Sequence, residues 1–292
     1  MRPLVAVRRA VPFDPRFLAR SPLFWPLTRA ARALEPCDDF PSTDDLYKVF
    51  ATAPPIRFVE APPARRRREP VDARTLYDGR VTIERAVPTR PRCWHDFMNA
   101  LVWGTFPRAK LALHARQHRL IAERIDPDAR GLPPRSRELD ALALIDEGGV
   151  VVLASSPASV QASLRRGEPG MLRRCVESGA ADALVFGHAI YESLALGVKP
   201  AIVAALVLPR EDCEGDVVRG ADGALAAALV DGDRVWSTRD LARVAAEDAH
   251  PVAGVSHIEA YVAHIRPHVA HDERMHAPCE ATDETRDAPH AT

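Results

Sequence analysis

Residues 94–118 constrain this chain more than any other stretch. They read Trp94-His95-Asp96-Phe97-Met98-Asn99-Ala100-Leu101-Val102-Trp103-Gly104-Thr105-Phe106-Pro107-Arg108-Ala109-Lys110 and continue through His114 to His118. Two of the four tryptophans fall here, with one of only three lysines (Lys48, Lys110, Lys199). The spacing predicts two helices broken between Gly104 and Pro107, because Pro suits a first helical turn, where its missing N–H costs nothing. Residues four apart share a helix face, so His95 points with Asn99, and Lys110 points with His114 and His118. Asp96 sits about 100° round the axis from His95. Phe97, Leu101 and Trp103 take other sides, so a polar side chain on the first helix must press toward the interior.

At 292 residues, with 47% hydrophobic and 27% charged residues, the chain can bury a sizeable core as one large domain or two small ones. A net charge of −1 excludes a global field that would draw the chain to nucleic acid or to an anionic membrane. The five cysteines (Cys37, Cys93, Cys175, Cys213 and Cys279) are scattered and form no CxxC pair, so a zinc ribbon or a disulfide framework is not expected. Reduced cysteines fit a cytoplasmic protein. The apolar run at the N-terminus is too short for a signal peptide, and no run approaches the ~18 residues of a spanning helix.

An apolar arm at 1–19 is expected to precede a globular body at 20–265, with a disordered tail over 266–292, where little can be buried. Short helices are predicted near 27–35 and 44–51, and a strand near 56–59. An exposed Pro/Arg loop spans 61–70. Tyr77 begins a tight turn, and Val81-Thr82-Ile83-Glu84 reads as a strand. Residues 126–137 read as a loop. Leu139 to Ile145 reads as a buried strand that turns at Asp146-Glu147-Gly148-Gly149 and returns over Val150–Leu153. Helices follow at 157–165 and 168–177. An apolar helix is predicted over 181–196, a buried strand over 201–208, a helix over 224–230 and a capped helix over 239–247. The fold class expected is α+β, a single domain with a small mixed sheet and flanking helices.

Polar groups inside apolar segments carry the chemistry. His188 and Glu192 lie four apart in an otherwise apolar helix, and such a pair serves as a metal ligand set, a general base with its partner, or a satisfied core pair. Asp140 and Asp146 share one face of the expected strand by period-two alternation. Asp146 and Glu147 read equally as ordinary turn chemistry, His95 and Asn99 as a helix cap, and His114 and His118 as a solvated face. No GxGxxG, Walker loop, GxSxG or HExxH motif occurs.

The run from Trp94 to Trp103, with Phe106-Pro107-Arg108-Ala109-Lys110, resembles the signature of a bacterial family known as domain of unknown function 3025. Asp140-Ala141-Leu142 with Asp146-Glu147-Gly148-Gly149, and Gly187-His188-Ala189-Ile190-Tyr191-Glu192, resemble its later motifs in the same order. The resemblance covers roughly residues 20–265. Family members commonly show Asn where this chain has His114, and a fuller Pro-Gly-containing ending where it reads His250-Pro251-Val252-Ala253-Gly254-Val255. The resemblance implies a bacterial, cytosolic protein and no established activity.

Two functional readings stand. In the first the protein is a hydrolase with a divalent metal. His95, Asp96, Asn99, His188 and Glu192 form its catalytic set, Asp140, Asp146 and Glu147 its metal ligands, and Arg108 and Lys110 its substrate contacts. In the second it is a binding or scaffold protein for a small molecule or protein partner, and the same residues form a structural hydrogen-bond network. Nucleic-acid binding through Arg65–Arg68 and Arg108 is the third and least favoured reading. No aromatic is interleaved there to stack a base.

Overall fold

The computed structural model describes residues 11–62, 71–126, 131–210, 215–234, 236–251, 261 and 263. In chain order it runs through α1 (Thr28–Arg32), β1 (Arg57–Glu60), α2 (Tyr77–Gly79), which continues into a π-helical turn at Arg80–Glu84, and β2 (Ala86–Thr89). Then come α3 (Trp94–Thr105), α4 (Pro107–Ala122), α5 (Arg137–Gly148), β3 (Gly149–Ala154), α6 (Pro157–Arg165), α7 (Met171–Glu177) and β4 (Ala181–Val185). The series closes with α8 (His188–Ala195), β5 (Ile202–Pro209), α9 (Val217–Val230) and β6 (Ala242–Ala245). The fold is α+β.

The larger sheet has the order β4-β3-β5-β6 and is mixed: β3 runs antiparallel to β4 and parallel to β5, and β5 runs antiparallel to β6. Every residue of β3 is buried, which its unbroken Val150–Leu153 run requires, since both faces are covered. A second, two-stranded sheet pairs β1 and β2 in parallel. Helix α3 packs on α8, and α4 packs along α9.

Three polar devices fix these helices. The Ser136 hydroxyl accepts from Leu139 N–H at 3.1 Å and starts α5. The Asp222 carboxylate on α9 accepts from Ala109 N–H at 2.8 Å and Arg108 N–H at 3.3 Å, capping α4 from a neighbouring helix. Buried Arg116 on α4 donates to the Glu138 carboxylate of α5 and to the Leu229 and Asp231 carbonyls at the end of α9, where a cation suits the negative end of the helix dipole. The described part of the apolar arm packs on the body: Phe17 is buried, and Phe13 stacks on Trp94 at 5.5 Å. Among the described residues no helix is long and apolar enough to cross a membrane.

Four expected elements differ. Leu139–Ile145 is the helix α5, not a strand, so the expected hairpin does not form. Its buried residues Leu139, Leu142 and Ile145 recur at helical spacing, and a short apolar run looks the same in either conformation. Ala181–Leu196 is not one helix: it splits at Phe186-Gly187 into β4 and α8. Tyr77–Glu84 is helical where a turn and a strand were expected. The predicted helix at 239–247 is a capped 3₁₀ turn at Thr238–Asp240 followed by the edge strand β6. The helices at 28–32, 94–105 and 107–122 and the strands at 57–60 and 202–209 form as expected. Arg65–Arg68, residues 1–10 of the arm and the tail lie outside the described residues.

Candidate functional site

The site forms where the end of α5 meets the start of α8. Gly187 makes this approach possible, because a Cβ there would lie 2.5 Å from both the Glu147 carbonyl oxygen and the Gly149 nitrogen. Phe186 and Gly187 N–H both donate to the Gly149 carbonyl at 2.9 Å. The chain thus crosses the α5–β3 junction tightly and sets His188, the first residue of α8, beside Asp146 and Glu147 in the last turn of α5. Helix α3 lies across α8 and adds His95.

The side chains pair across helices. His95 Nδ1 is 2.9 Å from Glu192 Oε2, and His95 Nε2 is 3.0 Å from His188 Nε2. Glu147 Oε2 lies 3.3 Å from the same His188 nitrogen. Behind them, His188 Nδ1 is 3.9 Å from Asp146 Oδ1, which accepts from Lys110 Nζ at 2.6 Å. The cluster is graded in depth: the Lys110 side chain is fully buried and that of His188 is 4% exposed, whereas that of Glu147 is 49% exposed. It is open to solvent at Glu147 and closed at Lys110.

One ligand atom each from His95, Glu147 and His188 falls within 4.8 Å of the others. Two imidazole nitrogens at 3.0 Å either share a proton or face a common cation. In a tetrahedral zinc site with bonds near 2.0–2.1 Å, neighbouring ligand atoms sit about 3.3 Å apart. The His95–His188 and His188–Glu147 separations of 3.0 and 3.3 Å are close to that edge.

The family model described as "Protein of unknown function (DUF3025)" matches residues 57–260, more than half of the chain. The chain belongs to the DUF3025 family. No curated protein and no solved structure matches it. The matched span contains every residue of the cluster.

Charge divides the roles within this DUF3025 site. The hydrogen bond that His95 gives to the Glu192 carboxylate raises the imidazole above its ordinary range. Burial pushes His188 down to about 3, so it is neutral at physiological pH. Burial, with the Asp146 charge beside it, raises Glu147. Burial alone would also raise Asp146, but the Lys110 ammonium, together with the neighbouring His188 and His114 rings, holds that carboxyl well below its usual range. The pair of rings is therefore asymmetric: its surroundings favour the charged form of His95 and disfavour that of His188.

The other expected residues lie elsewhere or serve the cluster indirectly. Asp96 accepts three hydrogen bonds from Arg90, on its N–H, Nε and Nη2, and so pins the β2–α3 connection to the start of α3. Asp140 is exposed in the first turn of α5 and pairs with Arg135 at 3.0 Å; its expected alignment with Asp146 fails because α5 is a helix. Arg108 is exposed at the start of α4 and its guanidinium lies beside Gly223. Lys110 meets Asp146 rather than open space. Asn99 Nδ2 donates to the Tyr77 hydroxyl at 2.9 Å. Tyr77 and Asp78 extend the network unforeseen, with Asp78 Oδ1 2.8 Å from His114 Nδ1. Their only signal was a Tyr-Asp-Gly turn pattern, which here is the first turn of a helix.

Proposed function

We propose that this DUF3025 protein is a hydrolase that works through one divalent metal ion held by His95 Nε2, His188 Nε2 and the Glu147 carboxylate. The observation that carries this reading is the convergence of those three ligand atoms within 4.8 Å at the solvent-facing end of the cluster. The metal would supply a water acidic enough to attack at neutral pH. Three protein ligands with an exposed side leave room for that water, as catalytic sites require.

The chain's own groups prepare the ligands. Glu192 accepts a hydrogen bond from His95 Nδ1–H in this reading, which would leave the Nε2 lone pair free for the ion. Burial keeps His188 neutral, the ligating form. Two imidazoles and one carboxylate suit zinc, manganese or ferrous iron better than calcium or magnesium. A cytoplasmic location belongs to the same reading, supported by the scattered cysteines and by the resemblance of the sequence.

The alternative is a binding or scaffold protein. It is favoured by one specific observation: Lys110, His114 and Asn99 all bond to neighbouring side chains inside the protein. Metal analysis of untagged protein separates the two. Near-stoichiometric metal in the wild type, lost in Glu147→Gln and His188→Asn, supports the enzyme and justifies ester and amide substrate screens. Wild-type protein that neither carries metal nor takes up zinc or manganese makes the cluster structural.

A further inference from the structure

The face of α4 that carries Lys110, His114 and His118 has more hydrogen-bonding capacity than its neighbours use. Lys110 is fully buried and offers three N–H donors, yet its hydrogen bond among the described residues goes to Asp146 alone. Opposite it on α3, the Trp103 indole N–H and the Asn99 Oδ1 are buried without a protein partner. One turn further along α4, His114 Nε2 is in the same condition, although its Nδ1 faces Asp78. One more turn along α4 carries His118 Nδ1, and the π-helical turn that packs against α4 carries Thr82 Oγ1, both likewise without a protein partner. Lys110 Nζ lies 5.6 Å from the centre of the Trp103 ring, and Trp103 and His114 stack at 5.5 Å, so these three line one seam, which the four-residue spacing of α4 continues to His118.

Five of the nine unpartnered buried atoms among the described residues lie on or against this face of α4; Nε of Arg80, Nδ1 of His188, Nε of Arg210 and the indole of Trp236 are the others. Such clustering is not packing error spread at random. Buried polar groups in folded proteins are almost always satisfied, by protein or by ordered water. Positions four apart on a helix are about 5–6 Å apart, which is the span of two hydrogen bonds through one water. A water in a buried polar space needs two to four polar partners, and each step of the seam offers them.

We propose that the inner face of α4 binds a file of internal water molecules running from Lys110 to His118. The file ends at His118, near enough to Asp72 to act on that half-exposed carboxylate. At its inner end it reaches the Lys110–Asp146 pair behind His188. Water therefore has a second way to the cluster, from the side opposite Glu147. This inference stands apart from the metal reading, since it uses none of the three ligands.

Two measurements on the wild-type full-length chain test it. A high-resolution crystal structure should show discrete water peaks within hydrogen-bond distance of Trp103 Nε1, His114 Nε2 and His118 Nδ1. In ¹⁵N-tryptophan-labelled protein, with Trp103→Phe used only for assignment, the Trp103 indole proton should give a direct rotating-frame cross-peak to long-lived water. The reference is Trp94, whose indole N–H donates to the Val11 carbonyl at 3.2 Å. The expected Trp103 cross-peak is several-fold larger than that of Trp94. No water density along the seam, or equal cross-peaks from the two indoles, overturns the proposal.

Discussion

In the metal site proposed above Glu192 would act through His95, and its contribution is separable from that of a ligand. It accepts from Nδ1, on the side of the ring away from His188. Glu192→Gln keeps the size and a hydrogen-bonding side chain but removes the charge. The expected result is a metal affinity lowered by roughly 10–100-fold, as for other partners of ligating histidines, with little change in thermal stability. Competition with a chromophoric chelator reads this directly; an affinity equal to the wild type would remove Glu192 from the mechanism. Gly187 makes a different single-residue demand. A methyl group there meets main-chain atoms of Glu147 and Gly149 at 2.5 Å, which no rotamer can relieve. Gly187→Ala should cost about 1–3 kcal/mol in urea unfolding and should also weaken metal uptake, because it pushes His188 away from Glu147. Wild-type stability in this variant would mean that the α5–α8 crossing is loose.

At the scale of elements, α4 and α5 are joined by the Lys110–Asp146 pair, with both side chains largely out of solvent. Removing one member strands a buried charge. Lys110→Met should therefore destabilise by about 3–5 kcal/mol, and Lys110→Met/Asp146→Asn should recover part of that loss. A double variant no more stable than the single one would show that Lys110 contributes mainly by packing under Trp103. The helices α3 and α4 were legible in the sequence because local chemistry sets their break: Phe106 leaves helical geometry and Pro107 opens the next helix. The helix α5 was not, because Leu139–Ile145 reads as a strand until the Ser136 cap is recognised. The candidate site was legible as a set of residues but not as a set of pairs. Spacing matched His188 with Glu192 and His95 with Asn99, each within its own helix. The fold instead joins His95 to both Glu192 and His188, and Asn99 to Tyr77. Asp146 and Glu147 were selected as metal ligands on an expected hairpin turn, yet they arrive at the cluster from the end of a helix. Contacts between helices depend on crossings such as the one at Gly187, which no local pattern encodes.

Across the whole molecule, the packing of α9 on α4 ties the helix that bears Lys110, His114 and His118 to the rest of the fold. Asp222 sits in that interface, 5% exposed. Burial raises its carboxyl from 3.8 to about 6, against the lowering effect of the Ala109 and Arg108 N–H groups. The sign follows from linkage. A raised value in the folded state means that the native protein holds a proton that the unfolded chain has released, so Asp222 favours folding fully below pH 3.8 and loses that contribution as the pH rises to about 6. A gap of about two pH units corresponds to about 3 kcal/mol. Other carboxylates, such as Asp14 and Asp96, are lowered and act in the opposite sense at more acid pH, so total stability does not isolate the effect. The difference between wild type and Asp222→Asn does. Asn still offers an oxygen to the start of α4 but cannot titrate, so the wild type's relative advantage in urea unfolding should be largest near pH 4, shrink through pH 5 and level off above pH 6. A difference that stays constant over this range would mean that the α4–α9 interface holds Asp222 as an ordinary carboxylate, stabilised by the helix end it caps.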